Sequence, residues 1–191
     1  ISSQIPIVVV TSTVREAETL CDDLDVWLGK ERVRHFPAWE TLPFERVSPA
    51  TETMGKRLEL LNRLQSRNPP DVVVVPVRAL LQRINPEARN AQLLELRRGS
   101  RADLSELSQS LVAKGYRREF QVEHRGEFAI RGGILDIFPS TGSSPVRADL
   151  WGDEVERLSE FSISNQRSTA EIQSVIIAPA RELLPTRQVR E

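Results

Sequence analysis

Residues 127–154, EFAIRGGILDIFPSTGSSPVRADLWGDE, constrain the fold more tightly than any other part of the chain. They hold three short runs with a period of two, separated by turn residues. In the first run Phe128 and Ile130 fall on one side and Ala129 and Arg131 on the other, and Gly132-Gly133 break it. Ile134, Leu135 and Ile137 carry the second run, closed by Phe138-Pro139, and Ser140–Pro145 has the composition of a loop. In the third run, Val146–Trp151, Val146, Ala148 and Leu150 face one way and Arg147, Asp149 and Trp151 the other. Such a unit buries one face and shows the other to solvent. The spacing predicts a small antiparallel sheet that displays Arg, Asp and Trp.

Upstream the pattern changes. Ile5–Val10 is a nearly continuous apolar run, typical of a strand buried on both faces of a parallel sheet. Thr11-Ser12-Thr13 offers an N-cap for a helix over Val14–Leu28, with Leu20, Leu24 and Leu28 inward and Gly29 as its stop. Val33–Phe36 follows as a strand, and strand–helix–strand opens an open α/β sheet. Pro37–Pro49 (PAWETLPFERVSP) is irregular; Trp39, Leu42 and Phe44 are read as pinning it to the domain, with a ligand pocket as the alternative. Thr51–Leu64 reads as a helix with Met54, Leu58, Leu61 and Leu64 on one face. Asp71–Val75 reads as a buried strand stopped by Pro76, and Val77–Arg83 as a short helix ended by Asn85-Pro86. Ala91–Leu96 reads as extended, and Asp103–Lys114 as an amphipathic helix carrying Leu104, Leu107, Leu111 and Val112. From Tyr116 to Phe161 the period stays at two. Gly99, just ahead of that change, is the predicted domain boundary, and Val175–Ile177 is read as returning the chain to the first sheet.

An α/β domain invites a search for a phosphate loop, and the sequence holds no G-x-x-x-x-G-K-[ST]. Gly55-Lys56 lacks the earlier glycine and falls inside a predicted helix. Thr11–Thr13 could hold an anion at a helix start, but plain capping accounts for these residues. His35 and His124, the only histidines, fall in different predicted domains, which argues against a histidine metal site or triad. Cys21 is the only cysteine, so an intramolecular disulfide and a cysteine metal cluster are excluded. No catalysis, cofactor or metal is expected of this chain. The net charge of −1 gives no general bias toward nucleic acid, yet nearly all basic residues are arginine; only Lys30, Lys56 and Lys114 are lysines. Arginine suits bidentate contacts at partner surfaces, and a GC-rich genome is an equal alternative. With no long apolar run and no signal-like start, a cytoplasmic protein is expected. The missing initiator Met suggests a piece of a longer one.

Two blocks of residues carry a family resemblance. The first is FPAWETLPFERVSP (Phe36–Pro49), followed by the Met54–Leu64 helix and DVVVVPVRALLQ (Asp71–Gln82). The second is RGEFAIRGGILDIFP (Arg125–Pro139), with VRADLWGDEVERLSEFS (Val146–Ser162) and Asn165-Gln166-Arg167-Ser168. Together they resemble the N-terminal region of bacterial transcription-repair coupling factors, itself similar to the excision-repair protein UvrB. The resemblance implies an α/β fold: an open parallel-sheet, degenerate helicase-like domain with an inserted smaller α+β, β-rich domain that binds UvrA. The implied division is 1–98 for the first domain, 99–174 for the insertion and 175–191 for the return. UvrB itself is tyrosine-rich in the segment matching Pro37–Pro49, whereas Tyr116 is the only tyrosine here; this favours the coupling factor.

The resemblance also implies a partner surface. The Tyr-x-Arg arginine is Arg118, the second arginine of the F-R-V-R-G motif is Arg131, and the Arg and acid of the R-V-E-F-F-G-D-E motif are Arg147 and Asp149. Ala129 stands where that first motif carries its other arginine. Trp151 joins the set through the strand pattern, since it shares a face with Arg147 and Asp149, and Arg and Trp are enriched at interface hot spots. The implied role is an adaptor that recruits UvrA to stalled transcription complexes in nucleotide excision repair by presenting the same face as UvrB. RNA polymerase, DNA and ATP would be handled by other domains of the parent protein, an ATP-dependent DNA translocase. A distant C-terminal domain would mask the UvrA face until polymerase is engaged. The alternatives are a fragment of UvrB and a weak DNA-binding module. The latter has only Arg32 and Arg34 and the pairs Arg97-Arg98 and Arg117-Arg118 in its favour.

Overall fold

The computed structural model describes residues 5–29, 31–41, 48–84 and 93–182. The chain divides into two compact units, Ile1–Asn90 and Ala91–Glu191.

The first unit is built on a three-stranded, all-parallel sheet in the order β1 (Ile7–Thr11), β3 (Val72–Pro76), β2 (Val33–His35). Helices α1 (Val14–Leu28), α2 (Thr51–Leu64) and α3 (Val77–Leu80) connect and flank it. β3 shows why a continuous valine run suits a central parallel strand. Val73 and Val75 pack with Phe36, Ala38 and Leu60 on one face, and Val72 and Val74 with Ala17, Cys21 and Val33 on the other. Each fully buried side chain of this kind contributes about 1.5–3 kcal/mol.

Several expectations need correcting. β1 is an edge strand of the described sheet, not one buried on both faces: Ile7, Val8 and Val10 are exposed. On α1 the innermost residues are Ala17 and Cys21, while Leu20, Leu24 and Leu28 only border the core, because close packing against the strands selects the small residues. On α2, Leu64 is exposed, and the fully buried Arg57 takes a core position. Its guanidinium donates to the Pro37 carbonyl (2.9 Å) and Gln82 Oε1 (3.3 Å) and lies 4.4 Å from the Phe36 ring and 5.2 Å from the Trp39 ring. Arg57 thereby ties the start of the Pro-rich segment to the helix, consistent with the pinning read for Trp39. Leu42, Phe44 and Asn85-Pro86 lie outside the described residues. α3 ends at Leu80, shorter than the Val77–Arg83 expected.

The second unit is a six-stranded sheet in the order β10 (Ser168–Glu171), β9 (Glu154–Phe161), β8 (Val146–Trp151), β7 (Ile134–Ile137), β6 (Glu127–Arg131), β5 (Arg117–Arg118). All pairs are antiparallel except β5 with β6. The three runs of the opening stretch are thus β6, β7 and β8, in register as neighbours. Helix α4 (Leu104–Ala113) is capped by Asp103, whose carboxylate accepts from the Ser105 and Glu106 amides. Its Leu107 and Leu111 pack with Tyr116, Phe128, Leu135, Ile137, Val146, Ala148 and Leu158 to form the main core. A two-stranded sheet pairs β4 (Leu94–Arg97) with β11 (Ser174–Ile177), antiparallel. Val175–Ile177 therefore joins β4 in this unit instead of the first sheet, and the compact units divide between Asn90 and Ala91, ahead of the expected boundary at residue 99. An isolated apolar run carries no information about which partner strand it will take.

Candidate functional site

The β6–β7 and β8–β9 connections are both two-residue hairpins, Gly132-Gly133 and Gly152-Asp153. Each has a glycine with positive φ at its first central position, +60° at Gly132 and +61° at Gly152, as a tight right-twisting turn requires. Both turns lie at the same end of the sheet, because Ile134, the first residue of β7, pairs with Asp149 near the end of β8. The register then builds two rows on the face opposite α4. One runs Ala129–Asp136–Arg147–Ser159, and the next, toward the turns, runs Arg131–Ile134–Asp149–Arg157.

The inner row is organised by a residue that the sequence reading did not single out. Asp136 is 1% exposed and accepts three charge-assisted bonds. Arg147 grips it bidentately, Nε to Oδ1 at 2.6 Å and Nη2 to Oδ2 at 2.9 Å, and Arg131 Nη2 reaches Oδ2 at 2.7 Å. Arg147 also donates through Nη1 to the Gln166 carbonyl (3.0 Å), and its guanidinium lies 4.9 Å from the Phe161 ring. Gln166 adopts a left-handed backbone (φ 58°), and its side-chain amide donates to the Val122 and Ile163 carbonyls. Phe161, Val122, Ala129 and Phe138 form a small second core beside this cluster. The hydrogen bond to Asp136 holds the Arg147 guanidinium above the usual arginine range against the opposing effect of burial, with the nearby Asp136 and Asp149 charges adding to the rise.

The predicted site residues therefore divide. Arg131, Asp149 and Trp151 stand on the turn-ward part of the face. Arg131 has 42% of its side chain exposed, Asp149 is half-buried and Trp151 is 81% exposed. Arg147 belongs to the same face but is turned into it, only 16% exposed, and pairs with Asp136, not with Asp149. Arg118 does not join them. It pairs in register with Phe128, a core residue, so strand alternation sets it on the opposite side from Ala129 and Arg131. Its neighbour Arg117 shares the polar face and pairs with Glu127 at 3.0 Å.

The other basic residues considered for DNA contact are engaged with acids: Arg32 with Asp71, Arg34 with Glu31, Arg97 with Glu95 and Arg98 with Glu171. At the start of α1, Glu16 folds back onto the Ser12 and Thr13 amides and the Ser12 hydroxyl while Thr13 caps the Glu16 amide. The helix N-terminus already holds a carboxylate, with Glu16 lowered by its Ser12 hydrogen bond. Gly55-Lys56 lies within α2, where Lys56 pairs with Glu52 at 2.7 Å. Cys21 is buried, and desolvation, with Asp25 and Asp22 adding, pushes its thiol up to about 11. Among the described residues no group of three or more His, Cys, Asp or Glu is placed to hold a metal ion, and no helix is long and apolar enough to cross a membrane.

The model of the UvrB interaction domain family matches residues 94–183, which hold all eight strands from β4 to β11 and helix α4. The chain is 42% identical over its whole length to the transcription-repair coupling factor of Mycobacterium bovis, covering 16% of that protein. It is 34% identical over 94% of its length to the Bacillus subtilis protein of the same name and 32% identical over 93% to that of Escherichia coli, covering 15% of each. The chain thus spans under a fifth of the length of the curated relatives it matches. The motif order, the strand frame and these likenesses agree: over its whole length the chain is homologous to transcription-repair coupling factors, and residues 94–183 carry the match to the UvrB interaction domain.

Proposed function

We propose that this chain is a non-catalytic adaptor whose second unit docks UvrA, and that it does so by presenting the face through which UvrB is recognised. The observation that carries this reading is the coincidence of the UvrB interaction domain with an exposed, ordered face on which Arg131, Asp149 and Trp151 stand together. An aromatic anchor beside charged, geometrically fixed side chains is the composition of an interface hot spot. In the parent protein the adaptor would bring UvrA to transcription complexes stalled at damage. RNA polymerase contact, DNA translocation and ATP hydrolysis would belong to other domains. The first unit, with its parallel sheet, serves as a degenerate helicase-like scaffold. The paired state of Arg32, Arg34, Arg97 and Arg98 weighs against a DNA-binding module.

The test is a calorimetric titration of the chain with UvrA from the same organism, beside an Arg131→Ala/Trp151→Ala variant. Binding by the parent that falls about tenfold or more in the variant, ~1.4 kcal/mol, supports the adaptor and this face. Equal binding by both moves the contact elsewhere, and no binding by the parent at micromolar concentration overturns the reading.

A further inference from the structure

We infer that Asp136 is the positioning residue of this face: its buried carboxylate, clamped by Arg147, fixes the guanidinium of Arg131 in the pose that meets UvrA. The inference rests on the reading of this face as the UvrA contact.

The division of labour follows from what each group has left to give. Arg147 uses Nε and Nη2 on Asp136 and Nη1 on the Gln166 carbonyl, and one side of its plane lies toward Phe161. It is a fixture of the sheet, with little to offer a partner. Asp136 sits on β7 between Ala129 and Arg147, and Ala129 carries no donor. The remaining approach to Oδ2 is the diagonal one, and Arg131 takes it with a single nitrogen. A guanidinium has five N–H donors, so most of those on Arg131 remain for a partner. Its side chain is 42% exposed beside the Gly132 turn. A long side chain held in place beforehand loses less freedom on binding than one that must be ordered by the partner. Asp136 itself, at 1% exposure, is out of reach of a docked protein and acts only through Arg131.

The experiment is a double-mutant cycle, read by calorimetry of the whole chain against UvrA, on the parent, Asp136→Asn, Arg131→Ala and the double variant. The expected result is a loss of about tenfold for each single variant and, for the double, no more than roughly threefold beyond Arg131→Ala. Asp136→Asn binding like the parent, or losses that multiply in the double, would overturn the inference. Should Asp136→Asn fail to melt cooperatively, Asp136→Asn/Arg147→Gln replaces it, since that pair leaves no buried charge without its partner. Arg131→Ala then costs less than about threefold on that background and about tenfold on the parent; equal costs overturn the inference. A parent that does not bind UvrA overturns the partner assignment separately. In that event 15N relaxation of the Arg131 side-chain Nε–Hε decides in the free chain. It should be rigid in the parent and mobile in the Asp136 variant, and unchanged mobility rejects the positioning role.

Discussion

At the residue scale the two arginines around Asp136 are not interchangeable. Arg147 is largely buried and bidentate, so Arg147→Ala removes most of the compensation for a buried carboxylate. It should cost about 3 kcal/mol or more of folding stability. Arg131→Ala removes one bond from a half-exposed side chain and leaves the Arg147 fork intact; it should cost below about 1 kcal/mol. Denaturant midpoints of the two variants check this, and equal losses would show that the cluster carries its load evenly. His35 supplies a separate, pH-dependent prediction. Burial holds its imidazole below its ordinary value of about 6.5, with Lys56 in the same direction and Glu18 opposing. As pH falls through about 6.5 the unfolded chain takes up a proton that the folded protein resists. Stability is therefore lost on acidification and regained above that pH. His35→Gln should flatten the difference in urea midpoint between about pH 7.5 and pH 5.5, and an unchanged slope would place the acid sensitivity on other groups.

At the scale of elements, two contacts position the sheet. The Tyr116 hydroxyl donates to the Ala178 carbonyl (2.7 Å) and accepts from the Ser140 amide (3.0 Å), while the Ser140 hydroxyl donates to the Ala178 and Pro179 carbonyls (3.1 Å each). Tyr116→Phe leaves the buried Ser140 amide unpaired and should lower stability by about 1–3 kcal/mol in equilibrium unfolding. Gly133 approaches the next strand so closely that a Cβ there would lie 2.7 Å from the Leu150 carbonyl oxygen, beside the register shift between Asp149 and Leu150. Gly133→Ala should therefore displace the end of β8 and, if the proposed face is the UvrA contact, weaken that binding through Asp149 and Trp151. Parent-like amide shifts at those residues would rule that out. Much of this framework is legible from sequence: α1 and α2 begin and end as predicted, because the Thr13 and Glu16 cap and the helical apolar spacing are local. The alternation of β6, β7 and β8 likewise assigns Arg131, Asp149 and Trp151 to one face. What escapes is long-range. The exposure of β1 depends on which strands flank it. Asp136 reads as an ordinary polar position until the register sets it opposite Arg147. Arg118 reads as part of the face until its pairing with Phe128 is known.

At the scale of the whole molecule, each unit carries its own packing. The first packs both faces of its parallel sheet, around Val73 and Val75 on one side and Val72 and Val74 on the other. The second has a continuous core from Leu96 through α4 and the six-stranded sheet to Ile177 and Ala180. Arg118, Arg131, Asp136, Arg147, Asp149 and Trp151 all lie in the second unit, as does the whole stretch matched by the UvrB interaction domain. If recognition of UvrA depends on this face alone, residues 91–191 produced by themselves should unfold in one cooperative transition. They should also bind UvrA within roughly threefold of the whole chain, a difference below ~0.7 kcal/mol. Residues 1–90 alone should show no binding. A fragment 91–191 that folds cooperatively yet binds more than about tenfold more weakly would make the first unit part of the contact, and the scaffold role proposed for its sheet would have to be abandoned.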